Sequence, residues 1–293
     1  MKVQIGKGEF QLGSEELTEL RDSTELLGSV EQLRTRMEED GYLLLRGFHD
    51  RAQVLRARSQ ILAKLAADGK FAEETDPEEA IIGPLNKGAF YGGTNEDLPE
   101  FLELVNSARV MQFFQDFLGG EPMTYPFKWL RAVAQGDNTA AHYDIVYMGR
   151  GTPNLYTMWT PLGDTPIEMG TLAVLEGSHR WQNLRETYGR MDVDRDGTGG
   201  WFSDDPHELI EKFGGRWATS SFQAGDVMIF GMFTMHASTV NTSNKMRVSC
   251  DTRYQLASEP ADDRWIGKKP KGHRPAEGVQ NRTMAEAREK WGL

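Results

Sequence analysis

The sequence predicts a mainly β protein whose core is a sandwich or barrel of short strands with helices packed outside. Two observations support this class. From about residue 125, short runs rich in β-branched and aromatic residues follow one another, separated by Gly, Asp, Asn and Pro. Such a series is typical of an all-β sandwich or barrel. In the first third, apolar residues recur at spacings of three and four, which is the period of amphipathic helices.

Three segments of the first third have this helical spacing: residues 29–41, 51–69 and 98–120. In the first, Val30, Leu33 and Met37 fall on one face, and Gly41 provides a stop signal. The run YLLLRGF at 42–48 is apolar enough to predict a buried strand. These elements predict a helical layer over about residues 1–120.

The β core is predicted over about residues 125–257, where seven runs have strand character: FKWLRAVAQ, HYDIVYMG, NLYTMWTPLG, GTLAVLEGS, WATSSFQ, DVMIFGMFTMHAS and KMRVSCDTRYQL. Between the fourth and fifth runs, residues 180–216 form an insert rich in charge and Gly, which predicts a lid or a flexible excursion. Near the C-terminus, NRTMAEAREKW predicts a surface helix. We find no linker and no repeat, so we predict one domain over residues 1–293.

Composition restricts the partners of this protein. Its 33 basic and 44 acidic residues give a net charge of −11, which argues against binding to nucleic acid or to an anionic membrane. No apolar run approaches the roughly 18–20 residues that a membrane helix needs. The N-terminal residues lack the apolar core of a secretion signal, and Cys250 is the only cysteine. These features predict a cytoplasmic location.

His142 and Asp144 stand two residues apart in AHYDIVYMG, a run otherwise rich in β-branched and aromatic residues. In a strand, residues i and i+2 point to the same face. Burial of a carboxylate is costly unless a partner compensates its charge, and a metal cation is one such partner. The pair therefore indicates either a metal site, if a third ligand exists, or a hydrogen-bonded pair on the surface of a strand.

His236 has the setting of a third ligand because it closes the apolar run GDVMIFGMFTMH and precedes a polar, turn-prone segment. A hairpin with its turn near residues 241–242 would place Arg247 opposite His236, with Ser238 on the same face. A buried arginine needs an anionic partner. That partner is either Asp251, two strand steps away, or the carboxylate of a small ligand held by the guanidinium fork.

The remaining histidines have weaker claims to a metal. His179 in GSHR has no carboxylate two residues away, and we predict a structural role for it. His49, His207 and His273 lie in polar or turn-like contexts and are predicted to be solvated.

Two histidines and one carboxylate make a facial triad with open coordination positions, which is diagnostic of non-haem Fe(II) oxygenases. A dicarboxylate co-substrate would then chelate iron at one end and pair with an arginine at the other.

From about residue 30 to residue 257 the chain resembles the phytanoyl-CoA dioxygenase family of Fe(II)- and 2-oxoglutarate-dependent oxygenases. The resemblance is carried by HYD at 142–144, MWTPLGDTPIEMGTLAVLEGSH at 158–179 and MHASTVNTSNKMR at 235–247. In that family the arginine that binds 2-oxoglutarate lies eleven residues after the distal histidine, and Arg247 has this spacing from His236. The implied fold is a double-stranded β-helix, a cupin-like jelly roll with helices outside.

The resemblance also implies roles for particular residues. It implies His142, Asp144 and His236 as iron ligands, and Arg247, Ser238 and Trp159 as contacts of 2-oxoglutarate. Fe(II), 2-oxoglutarate and O₂ would together hydroxylate or otherwise oxidise a small-molecule substrate, with release of succinate and CO₂.

Two alternatives remain open at the level of the sequence. One is a cupin-like Zn²⁺ or Mn²⁺ hydrolase or isomerase that needs no 2-oxoglutarate, because the same triad suits zinc. The other is a non-catalytic binding protein built on the same jelly roll. The sequence does not specify the substrate or the oligomeric state, but it places five side chains near the predicted site as candidate walls of a substrate pocket: Tyr143, Tyr147, Arg131, Asp251 and Arg253.

Overall fold

Two sheets form the centre of the molecule. The structure, a computed structural model, describes residues 1–293. Its strands are β1 (Lys2–Ile5), β2 (Gly8–Gln11), β3 (Leu17–Glu19), β4 (Tyr42–Leu45), β5 (Ala89–Gly93), β6 (Pro122–Thr124), β7 (Lys128–Val133), β8 (Tyr156–Pro161), β9 (Leu172–Leu175), β10 (Trp217–Thr219), β11 (Val227–Gly231), β12 (His236–Ser238) and β13 (Arg247–Leu256).

The larger sheet has seven strands in the order β4-β11-β8-β13-β7-β5, with β6 also paired to β13. The smaller sheet has the order β12-β9-β10-β3, and β1 and β2 form a separate hairpin. Side chains of the seven-stranded sheet and of the four-stranded sheet border a common cavity, so these two sheets lie face to face. This arrangement confirms the predicted jelly-roll fold with flanking helices.

The helices are α1 (Val30–Asp40), α2 (Arg51–Ala67), α3 (Pro99–Val105), α4 (Ala108–Leu118), α5 (Ile145–Met148), α6 (Gln182–Glu186), α7 (Val193–Asp196), α8 (Pro206–Phe213) and α9 (Met284–Trp291). The single helix predicted over 98–120 is two helices, because the chain leaves helical geometry at Asn106 and Ser107. The N-terminal third also contains strands β1, β2, β3 and β5, which the sequence patterns did not indicate.

Strand β13 shows how the sheet separates the helical layer from the site. All but its last residue are buried, and its side chains alternate in chemistry. Val248 and Cys250 pack into one apolar cluster with residues of α2 and α3. Because successive side chains point to opposite faces, Arg247 and Asp251 point to the interior between the sheets. A row of buried polar side chains on that inner face marks the functional side of the sheet.

Two strand predictions are wrong in detail. The run HYDIVYMG is not a strand: His142 makes a single bridge, Asp144 has helical backbone angles, and helix α5 follows at once. The run DVMIFGMFTMHAS contains two strands in different sheets, β11 and β12, separated by a turn. In both places a short apolar run could not reveal that the chain changes direction.

The insert 180–216 contains α6, α7 and α8 and contributes buried side chains to the main apolar cluster, among them Leu184, Tyr188 and Leu209. It is therefore a packed part of the fold, and movement as a lid stays a prediction. No helix of this protein is both long enough and apolar enough to cross a bilayer.

Candidate active site

His142 and His236 are brought together by the backbone itself. The two residues form one antiparallel bridge, in which each amide N–H donates to the other's carbonyl at 3.0 and 3.1 Å. Residues paired in this way have neighbouring side chains on one face. Their ring centroids are 4.1 Å apart, and both side chains are buried.

Asp144 completes the triad from the start of α5. Its Oδ1 lies 3.7 Å from Nε2 of His142 and 3.7 Å from Nε2 of His236. The three potential ligand atoms lie within 4.8 Å of one another, a spacing at which one cation can contact all three. The helical turn at Asp144, not an extended strand, turns its carboxylate toward the two imidazoles.

Hydrogen bonds fix the orientation of both imidazoles. Nδ1 of His142 donates to the carbonyl of Ala140 at 2.8 Å, and Nδ1 of His236 donates to the carbonyl of Thr234 at 2.9 Å. A carbonyl can only accept, so the proton of each neutral ring resides on Nδ1. Each Nε2 then carries a free lone pair and lies near Oδ1 of Asp144, so one cation could contact all three atoms.

The second carboxylate oxygen of Asp144 is held from the larger sheet. Oδ2 accepts from Thr157 Oγ1 at 2.5 Å and lies 3.1 Å from Nη2 of Arg253. Burial by itself would raise the pKa of Asp144, but Arg253 and the two histidines outweigh burial and hold that pKa well below its usual range. The carboxylate is therefore ionised and keeps Oδ1 available for a cation.

The buried imidazole of His236 is neutral at physiological pH. Burial, reinforced by the neighbouring His142, lowers the pKa of His236 to about 4. A neutral ring is the form that binds metal. Together the donor set of two imidazoles and one carboxylate, with space on the remaining side, fits a non-haem iron centre.

The hairpin predicted to pair His236 with Arg247 is wrong. Strand β12 pairs with β9, placing His236 opposite Val174, whereas β13 pairs with β7, placing Arg247 opposite Val133. The chain between them crosses from the smaller sheet to the larger one. Both side chains still border the same cavity, because the inner faces of the two sheets oppose each other.

Arg247 lies in the interior without a carboxylate partner. Its side chain is 2% exposed, Nη1 donates to Ser249 Oγ at 2.7 Å, and Nε has no hydrogen-bond partner. Asp251 instead forms an ion pair with Arg131, with 3.0 Å between Oδ2 and Nε. The predicted alternative of a structural Arg247–Asp251 pair is therefore wrong.

Burial also perturbs the ionisation of this guanidinium. It lowers the pKa of Arg247 to about 10, although Asp251 acts in the opposite direction. Buried N–H groups without partners are rare in folded proteins. A buried, cationic and incompletely bonded guanidinium beside a metal triad is suited to bind the carboxylate of a small ligand.

Two other side chains predicted to contact the co-substrate border this inner cavity. Trp159 lies on β8 and its ring is 5.8 Å from the guanidinium carbon of Arg247. Ser238 lies on β12, where its Oγ accepts from the amide of Thr139 at 2.8 Å. The Ser238 hydroxyl proton is then free to be donated elsewhere.

An outer chamber of about 240 Å³ adjoins the inner cavity and shares Arg131, Thr139, His142 and Asp144 with it. Aromatic side chains supply much of its wall: Phe90, Trp129, Tyr147 and Trp201. Phe90 and Trp201 are the only aromatic residues among the exposed large apolar side chains of the protein, each 53% exposed. These two side chains therefore place exposed apolar surface at the wall of the chamber.

Four of the five predicted pocket residues border these cavities. Tyr147 and Arg253 line the outer chamber, Asp251 lines the inner cavity and Arg131 borders both. Tyr143 does not, and its placement at the pocket is wrong. It is fully buried and its hydroxyl donates to the carbonyl of Ser178 at 2.7 Å, because it points away from the face that carries the two flanking triad residues.

Sequence patterns missed other residues at the site. His273, predicted to be solvated, borders the outer chamber, and its Nδ1 lies 3.2 Å from Asp194 Oδ2. The prediction that His49 is solvated is also wrong, because His49 is buried, although it lines neither cavity. Ser249 had a usable signal, since it stands two residues after Arg247 on the same strand face, whereas no local pattern connects His273 or Trp201 to the triad.

The sequence matches a known family and known enzymes. Residues 37–249 match the family model for phytanoyl-CoA dioxygenase (PhyH), and this range includes the triad and Arg247. The 1-deoxypentalenic acid 11-beta-hydroxylase of Streptomyces exfoliatus is 30% identical over 260 residues, which cover 83% of this chain and 87% of that protein. The enzyme of the same name from Streptomyces arenae is 29% identical over 254 residues, covering 81% and 85%.

Solved structures share the fold. The epimerase SnoN from nogalamycin biosynthesis, in complex with Fe³⁺, alpha ketoglutarate and nogalamycin RO, has a TM-score of 0.59 at 18% identity, covering 86% of this chain and 96% of that chain. HygX from Streptomyces hygroscopicus, with nickel and 2-oxoglutarate bound, has a TM-score of 0.54 at 16% identity, covering 78% and 87%. At these identities the likeness concerns the fold alone.

Among the alternatives left open by the sequence, the family match favours the iron oxygenase over a zinc or manganese hydrolase and over a non-catalytic binding protein. The donor set and the unpartnered guanidinium agree with it independently. The chain belongs to the phytanoyl-CoA dioxygenase family and is a non-haem iron oxygenase that uses Fe(II), 2-oxoglutarate and O₂.

Proposed function

We propose that this enzyme hydroxylates a small, largely apolar molecule and converts 2-oxoglutarate to succinate and CO₂ in the same cycle. The observation that carries the proposal is the buried triad of His142, Asp144 and His236 beside Arg247, a buried guanidinium with no carboxylate partner. We also propose a cytoplasmic location, because a single cysteine, Cys250, leaves no internal disulfide.

The triad residues are the proposed iron ligands, through the Nε2 atoms of His142 and His236 and Oδ1 of Asp144. Fe(II), when bound, supplies the activation of O₂, which no side chain of the protein can provide. The protein contributes preorganisation: two backbone carbonyls fix the rings, while Thr157 and Arg253 fix the carboxylate. Such supporting contacts typically matter for metal affinity by about 10- to 100-fold.

Arg247 is the proposed partner of the far carboxylate of 2-oxoglutarate. Its unpartnered Nε donor and its buried charge favour an anion at this position. Ser238 has a hydroxyl proton available to the same ligand, and Trp159 forms an apolar wall of the cavity. Exclusion of water by this wall strengthens each charged contact.

The outer chamber is the proposed substrate site. Its volume of about 240 Å³ lies just below the usual range of ligand pockets, about 300–1,000 Å³, which favours a small substrate. Aromatic walls favour an apolar body. The relatives at 30% and 29% identity are named for 1-deoxypentalenic acid, so this acid and other small carboxylic acids are the first substrates to test.

The test measures succinate and oxidised product together. Protein loaded anaerobically with Fe(II) and 2-oxoglutarate is mixed with O₂ and each candidate substrate. We expect equal amounts of succinate and product with a substrate that fits, and neither with Asp144→Ala. Asp97→Ala, a change at an exposed aspartate that pairs with Lys64 on the surface, serves as the control. Substrate conversion that needs no 2-oxoglutarate, or that persists when Zn²⁺ replaces Fe(II), would refute the proposal.

A further inference from the structure

Arg253 is a second buried arginine beside the triad, and it is only partly bonded. It lies on β13, six residues after Arg247 on the same strand face, and is 2% exposed. Nη2 lies 3.1 Å from Asp144 Oδ2, and Nε points to the sulfur of Met148 at 3.2 Å. The guanidinium lies over the ring of Trp129, with 4.6 Å between the guanidinium carbon and the ring centroid.

The remaining nitrogen of this guanidinium, Nη1, has no hydrogen-bond partner although it is buried. Arg253 borders the outer chamber, so an acceptor bound there would lie next to this guanidinium, and a shift of the side chain would bring Nη1 to it. Native proteins rarely leave a buried N–H group without a partner, so the partner is expected from a bound molecule. The inner cavity is not the position concerned, since Arg253 does not line it.

The local charges favour an anionic acceptor. Asp144 is the only carboxylate within 4 Å of Arg253, and on the proposed function that carboxylate is shared with Fe(II). Arg131, the other cation of the chamber, is already paired with Asp251. Positive charge on Arg253 is therefore left without full compensation, and a carboxylate can accept from a guanidinium at this position with a charge-assisted hydrogen bond.

We propose that Arg253 is a substrate-binding residue whose Nη1 recognises a carboxylate of the substrate, while Nη2 of the same guanidinium holds the iron ligand Asp144. The substrate class is then a small apolar molecule that bears a carboxylic acid. This inference rests on the proposed function, because it takes the outer chamber as the substrate site.

The test measures binding without turnover. Protein loaded with Ni²⁺ and 2-oxoglutarate is titrated calorimetrically with 1-deoxypentalenic acid and with its methyl ester, which cannot carry the charge. We expect wild type to bind the acid roughly tenfold or more tightly than the ester, as for one charge-assisted hydrogen bond. In Arg253→Gln the two affinities should become similar, mainly through weaker binding of the acid.

Further variants separate recognition from folding. Arg253→Lys keeps a positive charge beside Asp144 but cannot present two guanidinium nitrogens at once, so it should bind Ni²⁺ and still lose most of the preference for the acid. Arg56→Gln changes an exposed arginine on α2 and should leave the preference intact. Retained preference in both Arg253 variants, or no preference in wild type, including failure to bind either compound, would overturn the inference.

Two outcomes distinguish this inference from the proposed function. Loss of 2-oxoglutarate affinity in Arg253→Gln with an unchanged acid preference would assign Nη1 to the co-substrate and overturn the substrate role. Selective acid binding to the Ni²⁺ form, combined with no succinate release by the Fe(II) form, would refute the proposed reaction and leave the carboxylate site standing.

Discussion

Replacement of Arg247 by methionine should make the unliganded protein more stable. Burial lowers the pKa of Arg247 from 12.5 to about 10. At about 1.4 kcal/mol for each pKa unit, the buried cation costs the fold about 3 kcal/mol at pH 7, where the group is protonated both folded and unfolded. The variant also loses the hydrogen bond to Ser249 and the contact with Trp159, and this loss destabilises it by roughly 1–2 kcal/mol. The net expected gain is about 1–2 kcal/mol.

The same substitution should remove most of the stabilisation by 2-oxoglutarate. Truncation of one partner of a buried charged contact typically costs about 2–5 kcal/mol of binding, which is roughly 30-fold or more in affinity. A ligand at 100 times its Kd stabilises a protein by about 2.7 kcal/mol, and the variant would lose most of that. Arg247→Met is thus expected to raise the Tm of the metal-loaded protein without 2-oxoglutarate and to remove most of the rise that 2-oxoglutarate causes.

Thermal unfolding of the Ni²⁺-loaded protein with and without 2-oxoglutarate measures both effects. Arg56→Met is the matched control, because that arginine is exposed and paired only with Glu100 on the surface. It should change neither value appreciably. A variant at position 247 that is less stable than wild type without ligand, or that keeps the full 2-oxoglutarate shift, would show that the guanidinium has a structural partner and is not held for the co-substrate.

Three other substitutions give independent tests. Asp144→Ala should end succinate release and, by leaving Arg253 buried without its carboxylate, destabilise the metal-free protein by about 3–5 kcal/mol in urea unfolding; unchanged stability would contradict the ion pair. Burial lowers the pKa of Lys128 from 10.5 to about 8, so the unfolded chain binds more protons between those values and stability should rise with pH there. Lys128→Met should therefore be more stable than wild type by about 2–3 kcal/mol at pH 7, an advantage that shrinks by pH 10; a constant difference would exclude this cause. Burial, with Arg109, lowers the pKa of His49 from 6.5 to about 4, so stability should fall as pH drops through that window, by about 2 kcal/mol at pH 5. His49→Phe should lack this loss, and an equal acid sensitivity of both proteins would count against it.

Much of the fold was accessible from the sequence because its elements follow local periodicity. The helices α1 and α2 and the strands β7, β8 and β13 lie within the segments that predict them. The failures occur where chain direction changes within an apolar run. Residues 141–149 predict a strand because the segment is rich in β-branched and aromatic residues, yet the chain turns at Asp144 and begins α5. The apolar composition of this segment indicates that it is buried, but it does not indicate that the backbone turns.

The N-terminal strands were missed for a related reason. Strands β1, β2 and β3 have four residues or fewer, and β3 is held by parallel pairing with β10, about 200 residues later in the chain. A segment that short has too few positions to display a period of two. Its conformation is decided by a distant partner, which the local sequence does not contain.

By itself, the sequence determined the chemistry of the donor set: the HxD spacing, a second histidine and an arginine eleven residues after it. Those features are properties of the covalent chain, namely the order and the type of its side chains. Only the tertiary structure decided that Arg131 neutralises Asp251, so that Arg247 remains without a carboxylate, and that His273 reaches the outer chamber from the C-terminal region. The physical reason is that these contacts depend on which residues of two opposed sheets and distant loops meet across the interior, and such meetings are fixed by packing of the whole chain rather than by neighbouring residues.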